Sequence, residues 1–301
     1  MFLSVRPVPL PGRDLQVKVS APMTGDRLPV IVFSHGFGDS MDGYAPLVDH
    51  WADAGFVVVQ PTHLDSRKLN VTPDDPRYPD IWRLRAEDLT HVIDRLDAVE
   101  AAVPGLAGRI DRERIAVAGH SWGAQTASML LGAGVPDRGA PGRDPRVSAG
   151  VLLAVPGTGG ADLTPFAAEH FPFMSPDFTG LTTPTLVVAG DKDQSALSVR
   201  GPDWFTDAYR LSPGAKTLLT LFGAEHSLGG VSGYASTETT DESPERVALI
   251  RRVTTAFLRG ETDTPETDAP KTNAPDTHAP DTRAPETDAP QTGDLGRIES
   301  K

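Results

Sequence analysis

Short apolar runs alternate with segments of helical periodicity along the first 260 residues, and this alternation restricts the fold more than any other feature of the chain. Val30-Ile31-Val32-Phe33, Phe56-Val57-Val58-Val59, Ile115-Ala116-Val117-Ala118, Val151-Leu152-Leu153-Ala154-Val155 and residues 186–189 of the predicted strand 185–189 are apolar without interruption, as strands buried on both faces are. Between Trp82 and Val99 the apolar residues Leu84, Leu89, Val92, Ile93, Leu96 and Val99 recur every three or four positions, which predicts a helix with one buried face. Further helices are predicted at 46–54, 122–131, 202–211 and 245–258, and further strands at 15–19 and 217–222. Strands and helices in turn imply an α/β protein with a mostly parallel, doubly wound sheet and helices on both faces. The half-polar segment Leu15-Gln16-Val17-Lys18-Val19 suits an antiparallel edge strand.

The last stretch has a different character. From Thr262 a five-residue repeat of the type Thr-Asp-Ala-Pro-X places a proline at every fifth position through Pro290. Residues 261–301 contain no aliphatic side chain larger than alanine except Leu295 and Ile298. Such a composition cannot build a core, so two units are expected: a folded domain over 1–260 and a solvated, disordered tail over 261–301. The tail holds ten acidic residues against four basic ones, and so six of the thirteen net negative charges of the chain. An acidic body without a Lys/Arg patch argues against nucleic acid and anionic membrane surfaces as partners. The chain has no cysteine, which rules out a disulfide framework, a thiolate nucleophile and a cysteine-bound zinc. No membrane-spanning window and no leader-like N-terminus stand out, so a cytoplasmic protein without stable membrane insertion is expected; the oligomeric state is open.

Chemistry concentrates at Gly119-His120-Ser121-Trp122-Gly123, which lies between the apolar strand 115–118 and an Ala-rich helix. The pattern G-x-S-x-G in that setting is a nucleophile elbow, a sharp turn whose glycines allow strand and helix to approach closely. A serine hydroxyl needs a base, and the base needs an orienting acid. In elbow-bearing sheets these follow the serine in the order acid, then histidine. The strand 185–189 runs into Gly190-Asp191-Lys192-Asp193, and 217–222 into Gly223-Ala224-Glu225-His226. His226 is the candidate base. Both aspartates lie close to the strand end; the usual register selects Asp193 and leaves Asp191 to bond the turn. Two backbone amides are expected to bind a developing oxyanion, those of Trp122 and of Phe37 in His35-Gly36-Phe37-Gly38. The alternative for 35–38 is a plain glycine turn.

Between the strands ending at 155 and beginning at 185 lie Phe166, Phe171, Phe173, Met174 and Phe178, a short cap segment. Phe166, Phe171 and Phe173 are candidates for an apolar pocket wall, with pinning of the loop to the body as the alternative. His63 and Asp65 could rim the cleft or serve as structural hydrogen-bonding groups. No metal-ligand spacing, dinucleotide fingerprint or phosphate loop is present, so no cofactor is expected.

Together, Val32-Phe33-Ser34-His35-Gly36-Phe37-Gly38, the elbow 119–123, Gly190 to Asp193 and Glu225-His226 resemble the α/β-hydrolase superfamily over roughly residues 15–258. Phe33-Ser34-His35-Gly36 and Phe56-Val57-Val58-Val59-Gln60-Pro61-Thr62-His63 are similar to the bacterial branch of chlorophyllase-like and platelet-activating-factor acetylhydrolase-like esterases. The resemblance implies a serine hydrolase that cleaves small-molecule carboxylic esters with an apolar part through an acyl-enzyme on Ser121. Amidases, peptidases and thioesterases would use the same residues, and a catalytically silent binding protein would require a defective set.

Overall fold

The computed structural model describes residues 1–72, 74–136, 142–233, 240–261 and 293–301. Chain order is β1 (Phe2–Leu10), β2 (Leu15–Pro22), β3 (Leu28–Ser34), α1 (Ala45–Asp53), β4 (Val57–Pro61), α2 (Ile81–Asp94), α3 (Leu96–Ala102), β5 (Ile110–His120) and α4 (Trp122–Leu130). There follow β6 (Val147–Leu153), α5 (Pro165–His170), β7 (Thr185–Gly190), α6 (Asp207–Leu211), β8 (Lys216–Leu221), α7 (Pro244–Arg259) and β9 (Gly296–Ser300).

All nine strands join one sheet in the order β1-β2-β4-β3-β5-β6-β7-β8-β9. From β4 to β8 neighbours pair in parallel, while β1, β2 and β9 run antiparallel to theirs. Parallel strands need helices on their faces to cover apolar side chains on both sides. Here α1 packs on α7 and α2 on α4. Val30, Ile31, Val32 and Phe33 of β3 and Leu186, Val187 and Val188 of β7 have no solvent exposure, so the unbroken apolar runs mark the centre of the sheet. Across one layer, the Trp51 indole donates to Thr254 Oγ1 at 3.0 Å, which satisfies the one polar atom of a fully buried ring.

Some elements differ from the sequence expectation. The helix expected over 82–99 is broken at Arg95, whose φ of −116° leaves the helical region before α3 begins. The segment 202–211 begins as a tight 3₁₀ turn over Pro202–Thr206, with Trp204 and Phe205 buried, and only then becomes α6. β1 was not foreseen: it is an edge strand interrupted by Pro7, and Val8 and Leu10 are its only buried side chains.

The tail also needs correcting. Residues 293–301, assigned from sequence to a disordered unit, form a turn and β9, which pairs Thr217 to Leu221 with Ser300 to Gly296. Leu295 and Ile298, the two large aliphatic residues of the tail, pack against the core, and the Phe222 amide donates to Leu295 O at 2.9 Å. Without this strand β8 would present an unpaired edge, and the segment 295–300, with two large apolar residues, suffices to cover it. Residues 262–292, which hold the repeat, lie outside the described residues.

Candidate active site

The elbow follows β5 directly. Ser121 has φ 55° and ψ −122°, a conformation that non-glycine residues adopt only when their surroundings enforce it. Its amide is tied to Leu153 O on the neighbouring strand at 2.9 Å. A Cβ on Gly119 would lie 2.2 Å from Gly123 O, and one on Gly123 would lie 2.0 Å from Ser34 O, so neither position admits a side chain. α4 begins at Trp122, and the free N–H groups of its first turn face the serine end of the strand.

Ser121, three residues past the end of β7 Asp193, and five past the end of β8 His226 meet at the carboxyl ends of parallel strands. His226 Nε2 is 2.9 Å from Ser121 Oγ, and His226 Nδ1 is 3.0 Å from each carboxylate oxygen of Asp193. A carboxylate can only accept, so Nδ1 carries the proton and Nε2 turns its lone pair to the hydroxyl. Asp193 has no solvent exposure; burial pushes its carboxyl above the usual range, against the pull of the imidazole beside it. Asp191 accepts from the Gly223 amide at 2.6 Å and so fastens the loop after β7 to the loop after β8.

The turn after β3 is held by side chains on both sides of Phe37. The Gly36 amide donates to Tyr44 Oη at 3.0 Å and the Gly38 amide to Asp65 Oδ2 at 3.0 Å. Among the described residues the amides of Phe37 and Trp122 have no protein acceptor. Their rings pack together with centroids 4.6 Å apart, so the two segments that carry these amides touch.

Beneath the turn lies a buried polar cluster. Arg85 donates to Asp65 Oδ2 at 2.7 Å, to Thr126 Oγ1 at 3.1 Å, to Ser34 Oγ and to the His35 carbonyl, joining α2 to the turn and to α4. Burial works to raise the Asp65 carboxyl, but the Arg85 guanidinium overrides it and holds it at about 2. Burial and the same guanidinium drive His35 and His63 well below the ordinary imidazole range. Burial takes Asp88, on the far side of His63, up to about 7.

This cluster contains a second Ser-His-Asp series: Ser34 Oγ is 2.9 Å from His63 Nε2, and His63 Nδ1 is 2.8 Å from Asp88 Oδ2. Both Ser34 and His63 have zero exposure, so no substrate reaches them. His63 and Asp65 are therefore internal supports of the turn and do not rim a cleft. Ser121 and His226, by contrast, are both partly open to solvent.

The three candidate pocket residues fall in different places. Phe171 and Phe173 pack edge-on against Trp122 at 5.3 and 5.4 Å, and Phe166 packs edge-on against Phe171 at 5.9 Å. Phe173 is buried and, with Met174 and Phe178, pins the segment to the body; Phe171 is half-buried and Phe166 exposed. Phe37, Trp122, Phe171 and Phe166 thus form an aromatic band beside the serine.

Three site supports were not singled out from the sequence. Asp241 accepts from the amides of Glu225 at 2.8 Å and Gly229 at 3.0 Å and from the Ser227 hydroxyl, bracketing His226. Arg85 reads as an exposed helix residue, and Tyr44 as part of a glycine-rich loop. Nothing local marks any of them, because each acts on partners far along the chain. Among the described residues no group of three or more His, Asp or Glu side chains could hold a metal ion.

A mostly parallel sheet with a strained serine elbow after its central strand and helices in two layers defines the α/β-hydrolase fold. Residues 6–135 match the family model described as Chlorophyllase, a family within the α/β-hydrolase superfamily, so over that stretch the chain is similar to chlorophyllase-like hydrolases. The matched stretch runs from β1 past the end of α4 and includes the 35–38 turn and Ser121; Asp193 and His226 lie beyond it. No curated protein matches the chain.

Proposed function

We propose that this protein is a serine hydrolase of carboxylic esters, working through an acyl-enzyme on Ser121. The observation that carries the reading is the unbroken hydrogen-bonded series from Ser121 Oγ through His226 to Asp193 at the open end of the sheet. His226 Nε2 takes the hydroxyl proton as Oγ adds to the ester carbonyl. The new oxyanion accepts from the amides of Phe37 and Trp122, each worth on the order of 3 kcal/mol in the transition state. His226 then gives its proton to the leaving alcohol, and water, deprotonated by the same nitrogen, releases the acid. Asp193 holds the Nδ1–H tautomer and stabilises the imidazolium. Every proton transfer is made by side chains of the chain itself, so turnover is expected without added cofactor.

The aromatic band favours esters with an apolar acyl or alcohol part over charged ones. The decisive experiment compares wild type with Ser121→Ala on a series of p-nitrophenyl esters of increasing chain length, alongside the corresponding anilides. Ester turnover lost in Ser121→Ala with an unchanged circular dichroism spectrum is expected, together with covalent labelling of wild type alone by a fluorophosphonate. Turnover that survives the substitution overturns the proposal.

A further inference from the structure

The residue before the nucleophile takes no part in the proton transfers above, yet it is buried and bonded at both ring nitrogens. His120 Nε2 lies 2.8 Å from the carbonyl oxygen of His226, and His120 Nδ1 lies 3.0 Å from Tyr44 Oη. The same Tyr44 oxygen receives the Gly36 amide at 3.0 Å. Donor and acceptor rules allow only one arrangement along this chain. A carbonyl oxygen only accepts, so Nε2 bears the proton and donates to His226. Nδ1 is then a lone pair and must receive the Tyr44 hydroxyl proton. The Tyr44 oxygen, having spent its hydrogen, accepts from Gly36. Four groups from three loops are thereby ordered in a single direction: the 35–38 turn, the elbow, and the base-bearing loop after β8.

Tyr44 itself is placed under constraint. It has φ 65°, a left-handed conformation unusual for an aromatic residue, and is 2% exposed. Its own amide donates to Ser232 O at 2.9 Å, so it grips the base-bearing loop by backbone as well as through His120. Its ring lies against Phe33 at 4.8 Å, which leaves the hydroxyl little freedom to turn elsewhere. Desolvation by burial brings His120 down to about 3, which keeps the imidazole neutral as the relay requires.

We propose that Tyr44 and His120 are positioning residues for the reaction, forming a relay Gly36 N–H to Tyr44 Oη–H to His120 Nδ1, with His120 Nε2–H to His226 O, that fixes the oxyanion turn and the base relative to each other. This rests on the serine-hydrolase reading, because a positioning effect can be read only in turnover. The relay touches no substrate; it sets where the Phe37 amide and the His226 ring stand, and an error near 1 Å in such placement can cost about a hundredfold in rate.

The test uses Tyr44→Phe, which removes one oxygen and keeps the ring. Its kcat on a p-nitrophenyl ester should fall at least fivefold with KM within threefold of wild type. His120→Ala should fall further, and His120→Gln, whose amide can still donate to the His226 carbonyl, should recover part of that loss. In a single relay the double variant Tyr44→Phe/His120→Ala loses no more than His120→Ala alone. A smaller fall in kcat for Tyr44→Phe, or losses that multiply in the double variant, overturns the proposal. Nitrogen-15 NMR of wild type gives a reading that needs no variant to fold: His120 should be the Nε2–H tautomer across pH 6 to 8, and an Nδ1–H tautomer or an imidazolium overturns the relay. If wild-type turnover is indifferent to Ser121→Ala, the serine-hydrolase reading fails instead, and the tautomer still decides the hydrogen-bonded chain.

Discussion

Acid should unfold this protein through the histidines that support its site. His35, His63 and His120 are buried and held neutral, each with its folded-state value below that of an exposed imidazole, near 6.5. Their contribution to stability is therefore complete above pH 6.5 and is lost as the pH falls towards the folded-state values, because the unfolded chain takes up protons that the folded one refuses. Between pH 6 and 5 an unfolded imidazole is about nine-tenths protonated on average. His120, brought down to about 3, gives a slope of about 1 kcal/mol per pH unit, and His35 and His63 add to it in the same direction.

Asp88 acts in the opposite sense. Its folded-state value of about 7 exceeds that of a free carboxyl, so the folded protein binds one proton more than the unfolded chain over this range, offsetting about 1 kcal/mol. Asp193, also raised by burial, adds to that offset. Three imidazoles outweigh two carboxyls, so stability falls by on the order of 1 kcal/mol between pH 6 and 5. Urea unfolding followed by tryptophan fluorescence at half-unit pH steps measures it directly. His120→Gln should remove about 1 kcal/mol per pH unit from the slope while keeping a donor to the His226 carbonyl. A wild-type stability that is flat between pH 7 and 5 would refute the assignment of neutral buried imidazoles.

Other perturbations probe separate parts of the site. Asp241→Ala removes the acceptor of two amides and a hydroxyl that flank the base, and kcat should drop about tenfold with KM little changed; unchanged kcat would mean the loop holds itself. Phe171→Ala should raise KM for long-chain or aromatic esters about fivefold and for acetates much less, from the loss of about 1 kcal/mol of aromatic contact; equal effects on both would remove Phe171 from the pocket wall. Ending the chain after residue 292 deletes β9 with Leu295 and Ile298 and should lower unfolding stability by about 2 kcal/mol. An unchanged urea midpoint would show that the strand is not bound in solution.

Which parts of the molecule the sequence revealed follows from how local their causes are. The central strands could be read because burial on both faces leaves an unbroken apolar run, and the elbow because two glycines and a serine are all required within five residues. Asp193 could be preferred to Asp191 by register alone, and the structure gives each aspartate a different partner, His226 and the Gly223 amide. β1 and β9 escaped because edge strands bury one side chain in two or fewer, so their pattern is as sparse as that of a loop. The repeat beside Leu295 and Ile298 made those two residues look incidental. Tyr44, Arg85 and Asp241 escaped for another reason: a tyrosine, an arginine and an aspartate are common in exposed segments, and what sets these apart is a partner at least fifteen residues away or a carbonyl that no sequence pattern names.

The close approach at Gly123 explains why so much of this support converges on the turn after β3. Gly123 has no left-handed backbone, so alanine there would be conformationally welcome in the first turn of α4, and helix propensity alone predicts a gain of about 1 kcal/mol. Space predicts the reverse. An alanine Cβ would lie 2.0 Å from Ser34 O and 2.6 Å from His35 O, both backbone atoms, so α4 and the turn must separate by roughly 1.5 Å to reach ordinary contact. That displacement lies between the two amides proposed to share one oxyanion, those of Phe37 and Trp122, and a shift of this size is enough to break a hydrogen bond of ordinary length. Gly123→Ala should therefore lose both stability and, in whatever fraction folds, at least tenfold in kcat when turnover is normalised to fluorophosphonate-reactive protein. A variant more stable than wild type and equally active would show that the turn and the helix are free to move apart, and that the amides at 37 and 122 need no fixed distance.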